Sequence, residues 1–140
     1  MSQILEFQKK NTENKHKVGN LGKIGTVLYP SCTIQHAQSM FVGNEHLSYI
    51  SVVDRDCRFY GLIDRKKVLT YNGNAHESVE SIMESDIIQI DADKSLKNAV
   101  GKLMIREEDR FYVPFVILKK HRYYGMATIR ELLIAIGKEI

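Results

Sequence analysis

Thr128 and Glu131, three residues apart in the stretch G-M-A-T-I-R-E from Gly125, are a spacing with chemical potential. If residue 128 opens a helix, its hydroxyl lies where free backbone N–H groups and the helix dipole favour phosphate, and the Glu131 carboxylate can accept from ligand hydroxyls. The same Thr-x-x-Glu spacing is also a capping box, in which both side chains satisfy the helix's own first N–H groups. A second basic stretch, R-K-K at 65–67, offers Lys66 and Lys67 as point charges for a phosphate, or a solvated helix face with Asp64 as its N-cap. The five histidines (His16, His36, His46, His76 and His121) show neither H-x-x-x-H nor H-E-x-x-H spacing, which argues against a metal site. There is no glycine-rich phosphate loop, no G-x-S-x-G turn and no Cys-His arrangement suited to nucleophilic attack. These patterns predict no catalytic residues, no metal, no tightly bound cofactor and no enzyme activity.

Composition narrows the class further. With 44% hydrophobic and 26% charged residues, 140 residues suit one globular domain or two small ones. No apolar run approaches the roughly 20 residues that span a bilayer, and the opening MSQILEFQKK lacks the apolar stretch of a signal peptide. Cys32 and Cys57 are far apart and suggest neither a disulfide framework nor zinc, so a reduced, cytoplasmic setting is expected, without membrane insertion. Twenty basic residues against 17 acidic ones are interspersed along the chain, which gives nucleic-acid binding little support.

The elements that must position these residues occur twice. V-L-Y-P-S-C-T-I-Q-H-A (Val27 to Ala37) aligns with Q-I-D-A-D-K-S-L-K-N-A (Gln89 to Ala99) at an offset of 62. S-V-V-D-R-D-C-R-F-Y-G-L-I-D-R-K-K-V-L (Ser51 to Leu69) aligns with F-V-I-L-K-K-H-R-Y-Y-G-M-A-T-I-R-E-L-L (Phe115 to Leu133) at an offset of 64. Each copy reads as a strand, a helix N-capped by Thr33 or Ser95, two strands around a charged turn, and a closing helix. The strands are expected at Tyr49 to Asp54 with Phe59 to Ile63, and at Val113 to Leu118 with Tyr123 to Ala127, preceded in the second copy by Ile87 to Ile90. Ile34, Ala37 and Phe41 in one copy, and Leu96, Ala99, Val100 and Leu103 in the other, form the apolar helix faces. The plan is an α+β fold of two β-α-β-β-α repeats: residues 1–23 a helical or flexible lead, 24–72 the first repeat, and 73–140 a linker with a short helix after Ser78 and the second repeat. One ring of each pair Phe59/Tyr60 and Tyr123/Tyr124 should face the core. Units of about 60 residues bury too little alone, so the copies are expected to pack on each other and the pair to form a homodimer.

The second copy, I-I-Q-I-D-A-D-K-S-L-K-N-A-V-G-K-L-M followed by V-P-F-V-I-L-K-K-H-R-Y-Y-G-M-A-T-I-R-E-L-L, resembles the cystathionine β-synthase (CBS) domain, and the first copy resembles it more loosely. The resemblance spans about residues 24 to 137 and implies a Bateman module: two α/β-type CBS repeats about a pseudo-two-fold axis, with clefts that in many members hold adenosine-containing ligands. Phe115 to Ile136 also looks similar to CBS pairs found between EAL and GGDEF domains of cyclic-di-GMP signalling proteins, although neither output motif occurs here.

In nucleotide-binding members a G-h-x-T-x-x-D stretch reaches ribose or phosphate; its counterparts here are Gly125, Thr128 and Glu131, a longer acid at the last position, with Arg130 beside them. The resemblance adds Ile87, Ile88, Val113 and Phe115 as the lining of a base pocket, against their plain role as strand and core. In the first copy the matching Gly61, Asp64 and Lys67 lack the ribose-binding carboxylate, leaving Lys66 and Lys67 as phosphate contacts. The implied function is a regulatory module that binds AMP, ADP, ATP or S-adenosylmethionine between the repeats and controls an attached or partner GGDEF- or EAL-type signalling enzyme. The alternative is a ligand-free dimerisation module of a cyclic-di-GMP signalling protein.

Overall fold

The computed structural model describes residues 17–22 and 25–139. Two compact units emerge: residues 25–87, and residues 88–139 together with 17–22. Each is a three-stranded sheet with helices, as the doubled sequence pattern requires.

In the first unit the order is β1 (Val27–Leu28), α1 (Ile34–Val42), β2 (Tyr49–Val53), β3 (Phe59–Asp64) and α2 (Arg65–Leu69). Strand β2 is central, parallel to β1 and antiparallel to β3. Its residues 50–53 are all buried, as a strand covered on both faces must be. Helix α1 begins where Thr33 Oγ1 accepts from the His36 N–H at 3.1 Å, and it buries Ile34, Ala37 and Phe41, the predicted face. Its free N-terminal amides of Ile34 and Gln35 donate to the carbonyls of Glu77 and Ala75 at 2.9 Å each. The segment after α2, expected as a linker, bonds back to the first unit. Val79 N–H bonds Cys32 O at 2.8 Å, Ser78 caps a 3-10 turn at Val79–Ser81, and Glu84 exchanges two backbone bonds with Leu62. Gly61 is dictated by that last approach, because a Cβ there would lie 2.6 Å from the Glu84 carbonyl oxygen.

The second unit repeats the plan with β4 (Gln89–Asp91), α3 (Leu96–Met104), β5 (Phe115–Lys119), β6 (Arg122–Ala127) and α4 (Ile129–Glu139). Strand β5 is central, parallel to β4 and antiparallel to β6. Ser95 Oγ accepts from Asn98 N–H at 3.1 Å to start α3, whose Leu96, Ala99 and Leu103 are buried while Val100 is half-buried. Two strand starts differ from expectation. Pro114 has no N–H and Val113 N–H is spent on Arg110 O in a turn, so β5 opens at Phe115 instead of Val113. Ile87 N–H likewise closes a turn to Ser85 O, and β4 opens at Gln89, although Ile88 O still accepts from Val116 N–H at 2.9 Å.

Both sheets carry a bulge at the same place in the repeat. Pairing skips Tyr60 between Val52↔Gly61 and Val53↔Phe59, and skips Tyr124 between Ile117↔Gly125 and Leu118↔Tyr123. Tyr60 and Tyr124 are the rings that pack on their units' cores. Of the lead segment, residues 1–16 lie outside the described residues; Val18–Leu21 is a 3-10 turn, and Val18 is completely buried in the core of the second unit. No helix among the described residues is long and apolar enough to cross a membrane.

Candidate functional site

The second sheet brings most of the expected ligand residues to one end. Because β4 and β5 run parallel and β6 runs against them, Ile88, Phe115 and the Ala127–Thr128 exit of β6 share that end, with Phe115 in register with Ala127. Gly125, in register with Ile117, lies three residues inside the same strand and is buried. Val113 is half-buried in the turn before β5, and Phe115 is fully buried as a core residue. Arg130 is exposed on the first turn of α4. Ile87 is 7% exposed and belongs to the first unit, one residue before the second begins.

Thr128 and Glu131 form the full reciprocal box. Glu131 N–H donates to Thr128 Oγ1 at 3.2 Å, and one Glu131 carboxylate oxygen, Oε1, accepts from the Thr128 N–H at 3.2 Å and from its hydroxyl at 3.0 Å. The two sequence readings thus share their atoms: the cap fixes the carboxylate at the helix N-terminus, where a ligand hydroxyl would meet it. Both side chains are half-buried.

At the matching end of the first sheet, a groove of about 490 Å³ is lined by Ser48, Tyr49, Asp64, Arg65, Lys66 and Thr70, among others. Lys66 is exposed on its wall, whereas Lys67, also exposed, does not line it. Asp64 Oδ1 accepts from the Lys66 N–H at 3.0 Å, which is the N-cap expected from sequence. Arg65 turns inward. Its Nη1 donates to the carbonyls of Phe41 (2.8 Å), Asn44 (2.9 Å) and Leu47 (3.1 Å), so that nitrogen holds the loop after α1 rather than a phosphate.

Arg106, which carried no signal in the sequence, has the corresponding duty in the second unit. It donates to the carbonyls of Arg110, Phe111, Val113 and Pro114 and so moulds the turn that carries Val113. Burial, with the nearby Arg110 charge, lowers its pKa from the usual arginine value. No group of three or more His, Cys, Asp or Glu side chains that could hold a metal ion occurs among the described residues.

Residues 79–138 match the family model of the CBS domain. Solved structures extend the likeness to the whole chain. A CBS domain-containing protein of unknown function from Bacillus anthracis superposes with a TM-score of 0.71 at 18% identity, over 94% of this chain and 99% of that one. The CBS domain of a bacterial CNNM/CorC family Mg2+ transporter, in complex with ATP, gives a TM-score of 0.71 at 11% identity over all of both chains. CBSX2 in complex with AMP gives 0.69 at 15% identity, over 89% of this chain and 98% of that one. No curated protein matches the chain significantly.

Proposed function

From a chain that carries a CBS domain over residues 79–138 and has the fold of a CBS-domain pair, we propose a regulatory, non-catalytic module that senses an adenosine-type nucleotide and passes its bound state to an output domain. The observation that carries this reading is the Thr128–Glu131 box: a half-buried hydroxyl and carboxylate held at the mouth of α4, the position matching the family's ribose- and phosphate-binding motif. AMP-bound and ATP-bound relatives of the same fold support the ligand class. Phe115, Ile88, Ile87 and Val113 supply the apolar surroundings, Gly125 and Arg130 complete the set, and Lys66 and Lys67 are the phosphate contacts of the first unit. Ligand binding regulates only if two states of the module bind it unequally. The protein acts in the cytoplasm as a homodimer, for which the exposed Leu133 and Ile134 on α4 supply apolar surface. Its output is a signalling enzyme of the GGDEF or EAL type, a reading that rests on the resemblance of Phe115 to Ile136.

A second reading, a ligand-free dimerisation module of a cyclic-di-GMP signalling protein, is favoured by the first unit, where Asp64 serves as a helix cap and no carboxylate replaces it at Lys67. Thermal melting separates the two. A ligand that binds only the native state at 100 times its Kd stabilises by about 2.7 kcal/mol, so AMP, ADP, ATP or S-adenosylmethionine should raise the melting temperature by several degrees. Glu131→Gln preserves a capping box but removes the charge that accepts ribose hydroxyls. It should leave the ligand-free melting temperature nearly unchanged and lose most of the nucleotide-induced rise. No rise with any nucleotide would favour the ligand-free module.

A further inference from the structure

The opposite end of the second sheet, where the β5–β6 hairpin turns, has a different chemistry. Lys17, Asn20, Asp93, Lys119 and Tyr124 surround a recess of about 90 Å³. Its floor is the bulged Tyr124, over whose ring the Lys119 ammonium sits at 5.3 Å from the centroid. Its far wall is the 17–22 segment, bound to the end of β4 by Val18 N–H to Lys94 O (2.9 Å) and Gly19 N–H to Ala92 O (3.0 Å). Gly19 fits closely there, since a Cβ would stand 3.0 Å from the Ala92 Cβ. The ammonium groups of Lys17 and Lys119 meet no carboxylate among the described residues. Lys94, Lys120 and Arg122 add exposed cations nearby, against Asp91 and Asp93, and the Asp91 carboxylate accepts from the Asp93 N–H at 3.0 Å.

We propose that this recess is a binding site for a phosphate group, separate from the nucleotide site proposed above, since Tyr124 lies four residues from Thr128, about 13 Å at the rise of a strand. At about 90 Å³ the recess is small, on the scale of a tetrahedral oxyanion rather than of a whole nucleotide. The ammonium groups of Lys17 and Lys119 supply point charges, Asn20 stands beside them, and the surrounding cations raise the local anion concentration. The phosphate can belong to a free small molecule or to a phosphorylated lipid headgroup, and the two sources are separable.

The test is an NMR titration of 15N-labelled protein with sodium phosphate, set against sodium chloride at matched ionic strength. Saturable shifts should appear at the amides of Gly19, Asn20, Asp93 and Lys119 to Tyr124 with phosphate alone. Each exposed charge contact is worth up to about fivefold in affinity, so Lys17→Gln with Lys119→Gln should weaken binding by about tenfold, and Lys120→Gln, outside the recess, by less than twofold. Sedimentation with phosphatidylcholine vesicles, with and without phosphatidylinositol 4-phosphate, assigns the source. Lipid-dependent pelleting that free phosphate competes away indicates a headgroup, and saturable phosphate binding without pelleting indicates a soluble phosphate compound. Chloride reproducing the shifts, a double variant that titrates like the wild type, or equal weakening by Lys120→Gln would each overturn the site in favour of diffuse charge.

Discussion

A carboxylate's surroundings decide what it does, and the chain offers two contrasting examples. Glu131 lies at a helix mouth, where it completes a capping box with Thr128; Asp54 holds together the hairpin whose turn it starts. Asp54 Oδ1 accepts from the N–H groups of Arg58 and Asp56, both at 2.9 Å, and its Oδ2 accepts from the Tyr60 hydroxyl at 3.1 Å. The Arg58 backbone bond, outweighing a burial effect and helped by Tyr60, Asp56 and the Arg58 charge, holds its carboxyl below the usual carboxylate range. Its folded pKa is thus lower than its unfolded one, so its stabilisation is present above about pH 4 and is lost as pH falls through the folded value. Asp54→Asn should melt below the wild type at neutral pH, and that gap should close on acidification toward about pH 2; a gap that stays constant would refute the assignment. At this scale spacing was legible and direction was not. Thr-x-x-Glu announced its box, whereas nothing in R-K-K distinguished Arg65, turned in upon carbonyls, from Lys66 and Lys67, turned out to water.

The helices and hairpins were largely readable, because each rests on a local rule: a hydroxyl cap, a 3.6-residue apolar period, a charged turn between apolar runs. Thr33, Ser95 and Asp64 cap the helices they were expected to cap. What local rules leave out is decided by non-local bonds, as at residues 75–84, whose backbone partners lie at the start of α1 and along β3. The two loop-holding arginines belong to the same class. They reach equivalent loops from different places, Arg65 from the start of α2 and Arg106 from the end of α3, so the aligned repeats concealed the common task. All three Arg65 bonds leave from Nη1, which lies one bond farther from the backbone than the nitrogen of a lysine, so an ammonium falls short of the same carbonyls. Arg65→Lys should therefore destabilise the protein by about 2 kcal/mol in urea unfolding, the scale of hydrogen bonds to a charged group. Recovery of full stability by lysine would show that charge alone suffices.

At the scale of the molecule, the repeat and its fold class were legible from the doubled motif, but the path of the chain through the two units was not. The first unit, 25–87, is one continuous segment, while the second is assembled from 17–22 and 88–139. Val18, with no exposed surface, fills that second core from some seventy residues upstream of Ile90. Val18→Ala should cost about 2 kcal/mol as a buried cavity. The loss should appear as faster amide exchange at Phe115 and Ile117, with Ile50 and Val52 little changed. The same threading has a mechanical consequence. A stretching force applied between residues 17 and 139 finds both grips on the second unit, so tension crosses the non-covalent contacts that hold 17–22 to 88–139. The clip at 17–22 is then the fuse of the second unit, for its bonds from Val18 to Lys94 and from Gly19 to Ala92 lie in the path of the load.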